Sequence, residues 1–359
     1  PRVLHSLVRP TLGRLARHYV EEQIDLEGDP RELTRLGEAL SGAPGNGGSR
    51  HASVKSWLAH TRVFDRKAIR YHYDVGDDFF ALWLDRRRVY SCAYFRTAED
   101  TLDSAQEQKL DHICKKLMLR RGERFLDIGC GWGALVMWAA EHYGVQATGI
   151  TLSQNQYDYA SERIREAGLE GRCDVRLLDY RDVPEGEPYD KIASVGMFEH
   201  VGRKNLAVYF GKIRRLLRDG GLVLNHGITL NAPEQYELGG DIGRFIDEYV
   251  FPGGELSHVS RVIQEMSAEG LETTDMESLR PHYARTLWHW VDRLEANRAS
   301  AVSKVGEKAY RIWRIYMAGS AHAFERGWMS IYQILAAKPA VDGRLPLPLT
   351  REYMYHGHG

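Results

Sequence analysis

Glu199, His226, Tyr283, Cys92 and Asp127 are the residues of this 359-residue chain whose types and places could do chemistry. Glu199 follows the apolar run Lys191–Val195 and so stands just past the end of a strand. A carboxylate there serves as a general base, as a hydrogen-bond acceptor, or as the partner of an arginine. His226 closes another apolar run, Leu222–His226, and reads equally as a satisfied core histidine. Tyr283, in PHYARTL, could turn its hydroxyl inward. Cys92 and His226 together are what a cysteine hydrolase needs. Such an enzyme would have no use for the glycine-rich turn that follows Asp127, and the four residues Cys92, Glu199, His226 and Tyr283 do not make a triad.

That turn lies in Phe125–Gly133, FLDIGCGWG. A short apolar strand ends in Asp127, glycines alternate at 129, 131 and 133, and a helical stretch, Ala134–His142, follows. Glycines let the backbone turn tightly and come close to a ligand, and a helix N-terminus offers unpaired N–H groups. The spacing is G-x-G-x-G, not G-x-G-x-x-G, and no lysine follows in G-K-[ST] form. Both facts point away from a pyrophosphate cradle and a P-loop, and toward a ligand with adenosine and amino-acid parts. Asp127 either bonds the turn's amides or orders the turn around the ligand's amino-acid end. Thr151 and Gln156, after a second strand, suit a ribose contact, and Asp179 and Tyr180, after a third, suit an adenine.

The elements that must position these groups alternate. Helical stretches are expected over 55–70, 102–119, 157–167 and 206–217, and strands over 125–128, 145–150, 174–178, 191–195 and 222–226, with a turn at Gly220–Gly221. Strands alternating with helices imply an α/β fold with a doubly wound, mostly parallel sheet. Ligands then bind at the carboxyl ends of the strands, where Asp127, Thr151, Asp179, Glu199 and His226 fall. Beyond His226 the pattern becomes helical over 256–270, 280–297 and 309–335, and the tail from Lys338, with three prolines, is expected on the surface.

A formal net charge of -1 excludes a global basic field of the kind nucleic acid requires. The four cysteines include no C-x-x-C pair, so neither a zinc ribbon nor a redox dithiol is expected, nor any other metal site. No signal peptide and no apolar run of membrane-spanning length is apparent, which makes a cytoplasmic location the expectation. Ser41–Arg50, with four glycines, a proline and two serines, reads as a linker closing an N-terminal helical subdomain of residues 1–60, ahead of a catalytic domain over 61–359. Leu4, Leu7, Val8, Leu12 and Leu15 with neighbouring arginines either pack as a helix in that subdomain or rest on an anionic membrane. Tyr71–Phe95 holds seven Tyr or Phe and one Trp in 25 residues, a density that suits core packing or a wall facing an apolar substrate or a cation. Arg86–Arg88 reads as a solvated face that would also suit phosphate head groups.

The motifs YHYDVGDDFF, VYSCAYF, LDIGCGWG, GITLSQNQ, GMFEHVG, NHGIT, FPGGELS and PHYARTL run in order from about residue 71 to 290. In them the chain resembles the cyclopropane-fatty-acid and mycolic acid cyclopropane synthases, S-adenosylmethionine-dependent methyltransferases acting on lipid double bonds. The resemblance implies a seven-stranded class I methyltransferase sheet with helical insertions covering an acyl-chain site. It implies cyclopropanation of unsaturated phospholipid acyl chains at the inner face of a membrane, and is compatible with a homodimer. It puts Tyr90, Ser91, Gly129, Gly131, Thr151, Gln156 and Tyr180 on the cofactor, Tyr180 standing where a relative has Trp. It puts a bicarbonate ion, the base of the family, among the side chains of Glu199, His226 and Tyr283 and the backbone of Cys92, Ala93 and Ile228. Beside that anion Glu199 is expected to hold a proton more tightly than usual. A methyl-branched or hydroxylated product from a related methyltransferase, or a lipid-binding homologue without catalysis, are the alternatives.

Overall fold

The computed structural model describes residues 10–41, 76–233, 241–251, 255–345 and 347–356. Most of the Ser41–Arg50 linker, the expected helix over 55–70, the leucines before residue 10 and Tyr71–Val75 lie outside these residues. The chain divides into two compact units that interleave in sequence: one holds residues 1–84, 230–258 and 280–330, the other 85–229, 259–279 and 331–359.

The second unit is built on the expected sheet. Its strands are β1 (Arg124–Ile128), β2 (Gln146–Thr151), β3 (Cys173–Leu177), β4 (Tyr189–Val195), β5 (Leu217–Leu230), β6 (Glu272–Ser278) and β7 (Met329–Ala337), in the spatial order β3-β2-β1-β4-β5-β7-β6. The pairs β1–β2, β1–β4, β2–β3 and β4–β5 are parallel, and β6–β7 is antiparallel. The helices Leu102–Lys116, Ala134–Tyr143, Gln154–Glu166 and Leu206–Leu216 form close to the expected limits. Thr101 and Ser153 cap two of them by accepting the amides of Ser104 and Gln156. Two apolar clusters cover the sheet, one around Phe125, Ala139 and Leu224, the other around Ile128, Ile192 and Phe210.

Three expectations are corrected here. The segment 309–335 is not helical throughout: the helix ends at Glu325, Gly327 takes φ 70°, and Met329–Ala337 is a strand. Buried at almost every position between β5 and β6, that strand shows no alternation, so its apolar run looks the same as a buried helix. Gly220–Gly221 does not break β5, because Gly220 N–H donates to Lys338 O and Lys338 N–H donates to Gly221 O, both at 2.9 Å. The tail is docked at its end: Tyr353 and Met354 are buried, and the Met354 carbonyl lies 3.2 Å from His112 Nδ1.

The first unit is helical, with helices Leu12–Val20, Pro30–Ser41, Ile242–Tyr249, Arg280–Ala296 and Arg298–Glu325, the last broken by non-helical Gly306, and a two-residue strand, Ser257–His258. Pro10 precedes the first helix, whose N-cap is Thr11. Tyr19 and Val20 cluster with Phe245 and Val250. Arg31 makes a two-pronged pair with Asp292 at 2.7 and 2.8 Å. Phe79, Phe80 and Trp83 pack with Trp313, the ring centroids 5.3–5.7 Å apart, so this part of the aromatic segment is core.

Candidate active site

The glycine turn forms because Gly129, Gly131 and Gly133 all take positive φ, 82°, 55° and 85°. The amides of Gly129 and Cys130 both donate to Ile150 O, at 3.0 and 2.9 Å, and that of Gly133 to Cys130 O. None of these three amides uses Asp127. Its Oδ1 is buried without a hydrogen-bond partner among the described residues, and burial pushes the carboxyl up from 3.8 to about 7, against the pull of Lys109. A methyl added at Gly131 would meet no protein atom within 4 Å, so the turn leaves open space at that position. An orphaned buried acceptor beside an open glycine cradle fits a ligand with a cationic amino group.

Thr151 and Gln156 bond to each other, Oγ1 to Oε1 at 2.8 Å, and both are buried. Tyr180 is buried edge-on to Tyr209, and Asp179 pairs with Arg181 at 2.6 Å and caps the short helix Tyr180–Asp182. Ser91 Oγ accepts a 2.9 Å hydrogen bond from Lys109 Nζ, and Gln106 Nε2 donates to the Ser91 carbonyl at 2.8 Å. Burial pushes Lys109 down to about 8, against Asp85, Cys92 and Asp127. Tyr90 is half-buried next to Ser91. Arg87 and Arg88 stack over Trp138 and Tyr159, so the basic run is tied to neighbouring helices.

Glu199 and His226 come together through strand register. Val195 at the end of β4 pairs with His226 on β5, and Gly196 N–H donates to His226 O at 2.8 Å. The turn Phe198–His200 then folds against β5 where Gly227 has no side chain: a methyl there would run into the Phe198 ring and come within 3.1 Å of Glu199 Oε1. Glu199 Oε1 accepts the Ile228 amide at 2.7 Å. Its Oε2 is buried without a partner among the described residues, and burial pushes the carboxyl up to about 7 despite that amide bond. Ile228 thus spends its N–H on Glu199, not on an external anion, and has only its carbonyl to offer one.

His226 is fully buried. Burial, and the charges of Lys109 and Lys116, hold it well below its usual pKa, so the ring is neutral. Its Nδ1 lies 3.2 Å from Gln333 Nε2, and its Nε2 has no partner among the described residues. Cys92 is fully buried, its thiol 3.3 Å from the Ala93 carbonyl and 3.8 Å from that of Leu279. Tyr283 belongs to the first unit, where it is buried on the helix Arg280–Ala296, 4.8 Å from Phe324 and edge-on to Trp290.

The mycolic acid cyclopropane synthetase family model matches residues 60–334. The chain belongs to this family. A probable fatty acid methyltransferase of Pseudomonas putida is 46% identical over 99% of this chain and 90% of its own length. Cyclopropane mycolic acid synthase 1 of Mycobacterium tuberculosis is 38% identical over 75% of this chain and 96% of its own. The solved structure of mycolic acid cyclopropane synthase CmaA1 complexed with SAH and CTAB superposes with a TM-score of 0.71 at 36% identity, over 76% of this chain and 98% of that one. As a member of the cyclopropane synthase family, the chain is an S-adenosylmethionine-dependent methyltransferase acting on lipids.

Sequence reasoning passed over Gln106, Lys109, Gln333 and Gly227. Gln106, Lys109, His112 and Lys116 recur at helical spacing and are all buried, a polar stripe on an inward face of the helix Leu102–Lys116. That spacing was the available signal. Gln333 had none, being a lone amide in a largely apolar strand. No group of His, Cys, Asp and Glu suited to a metal ion occurs among the described residues, and no described helix is long and apolar enough to cross a membrane.

Proposed function

We propose that the protein adds a methylene across cis double bonds of unsaturated phospholipid acyl chains, working from the cytoplasmic face of a membrane. The observation that carries this reading is a pair of buried groups without partners among the described residues, Glu199 Oε2 and His226 Nε2, brought to one strand end by the β4–β5 register. S-adenosylmethionine, when bound, supplies an electrophilic sulfonium methyl. Gly129 and Gly131 let the backbone approach it, Asp127 and Ser91 with Lys109 face its amino-acid end, and Thr151, Gln156 and Tyr180 its nucleoside.

An isolated alkene is a weak nucleophile, so it must be held at near-attack distance from the methyl. Methyl transfer leaves a cation on the acyl chain, which water would quench. Ring closure then requires loss of a proton from the transferred methyl. Bicarbonate, when bound, supplies the base. The orphaned oxygen of Glu199 and the orphaned ring nitrogen of His226 suit such an anion, because a carboxyl titrating near 7 is partly protonated at neutral pH and can donate. Within the second unit, the Cys92 backbone and the Ile228 carbonyl, which can accept only the hydroxyl of bicarbonate, complete the proposed site. A carboxyl able to hold or release a proton near neutrality also argues against a merely lipid-binding homologue.

A methyl-branched product is the second reading, and the Pseudomonas putida relative's name, fatty acid methyltransferase, fits it as well. Incubation with S-adenosylmethionine and vesicles of unsaturated phospholipid, followed by mass analysis of the fatty acids, tests both. A gain of CH2 with loss of the double bond and no need for a reductant supports cyclopropanation. A saturated branched chain formed only with a reductant supports the second reading.

A further inference from the structure

His226 is neutral and fully buried, so its ring carries one proton shared between two nitrogens that differ in what they can do. Whether the unpartnered Nε2 is a donor or an acceptor depends on where that proton sits. The deciding neighbour is Gln333, on β7 beside β5, with no exposed surface of its own. Gln333 Nε2 lies 3.2 Å from His226 Nδ1. With the amide placed so, its Oε1 has no partner among the described residues, and because a carboxamide nitrogen only donates, Nδ1 accepts and the ring proton is left on Nε2.

We propose that Gln333 is a positioning residue that fixes His226 in the Nε2–H tautomer, so that a buried hydrogen-bond donor, not an acceptor, is offered to the reaction site. This rests on the reading above that His226 lines that site. The consequence is chemical selectivity: a donor at Nε2 holds an oxyanion, whereas a bare nitrogen there would repel one. It also gives a reason for a fully buried amide in the largely apolar strand Met329–Ala337. The strand neighbours of Gln333, Tyr332 and Ile334, point to the other face, so no other residue of that turn of chain can take its place.

The test uses the full chain labelled with ¹⁵N-histidine, the His226 signals being assigned by their absence in His226→Gln. The ring shifts should report a proton on Nε2 and none on Nδ1. Gln333→Glu, read at a pH where its carboxyl is ionised, presents only an acceptor to Nδ1 and should move the proton there. Turnover should then fall by about 10–100-fold, the scale seen when an outer partner that orients a functional histidine is lost. The KM for S-adenosylmethionine should stay unchanged, and the loss should vanish when His226 is already Gln. Gln333→Met, of similar volume and without a buried charge, should give a mixed tautomer in a folded protein. A wild-type proton on Nδ1, or an unaltered tautomer in Gln333→Met, overturns the proposal. An enzyme with the Nε2–H tautomer that alkylates no lipid would instead overturn the functional reading.

Discussion

The Ile228 amide donates to Glu199 Oε1 across 2.7 Å, and this bond divides the work of one carboxyl group between its two oxygens. Oε1 is held by the backbone of β5 as an acceptor. The proton of the neutral form therefore belongs on Oε2, the oxygen without a partner among the described residues.

Replacing Glu199 by Gln keeps an acceptor for Ile228 but removes the exchangeable proton. Turnover should fall by about 10²–10⁴-fold, the usual contribution of a positioned acid or base. Affinity for S-adenosylmethionine, measured by calorimetry, should be nearly unchanged. Normal turnover would remove Glu199 from the reaction centre.

The same carboxyl should cost stability. Its pKa is raised by burial from 4.5 to about 7, so the folded state binds the proton more tightly than the unfolded chain. Stability is fully present below pH 4.5, falls as pH rises through 7, and is flat above, a loss of up to about 3 kcal/mol from this group. Urea unfolding of wild type and Glu199→Gln at pH 5 and pH 8 checks it: the variant should gain relative stability at the higher pH. Parallel curves at both pH values would show that Glu199 titrates normally.

Gly131 and Gly133 should respond differently to alanine. At Gly131 a methyl meets no protein atom within 4 Å, so Gly131→Ala should cost only about 1–2 kcal/mol of left-handed backbone strain. It should chiefly raise the KM for S-adenosylmethionine by filling the open cradle. At Gly133 the methyl would sit 2.9 Å from Ala160 Cβ, and Gly133→Ala should destabilise the fold by more than Gly131→Ala does. Thermal unfolding and cofactor titration of both variants separate the two roles.

Glu277 supports the second unit from beneath. It accepts from Lys116 Nζ at 2.6 Å and lies 2.8 Å from His112 Nε2. Burial works to raise its pKa, yet the His112 hydrogen bond and the Lys116 charge hold it down to about 2. Its contribution is present above pH 4.5 and is lost as pH falls through 2. Glu277→Gln leaves the buried Lys116 ammonium with Asp275 at 3.7 Å and should cost about 3 kcal/mol at pH 7, read by urea unfolding. An unchanged midpoint would mean that Lys116 finds compensation elsewhere.

Rigorous removal of bicarbonate should lower the rate of lipid alkylation, and its return should restore it. Indifference to bicarbonate would count against the anion and leave Glu199 itself as the base to be tested.

The sequence by itself determined the parallel half of the sheet, because helices precede β1 and separate β1 from β2, β2 from β3 and β4 from β5, and turn signals divide β3 from β4. It also determined the cofactor turn, since three alternate glycines after a strand admit few conformations. Met329–Ala337 was hidden by the same reasoning: a strand buried on both faces shows no alternation, and its apolar run read as helix. The docking of Tyr353 and Met354 was equally invisible, being a contact made across more than 200 residues, as between His112 and the Met354 carbonyl. Glu199 and His226 could be named from their places at strand ends and by resemblance. What only the tertiary structure decided is which of their atoms are spent and which are left over. Ile228 occupies one oxygen of Glu199 and Gln333 one nitrogen of His226, through bonds spanning 29 and 107 residues, and burial then sets the charge of what remains.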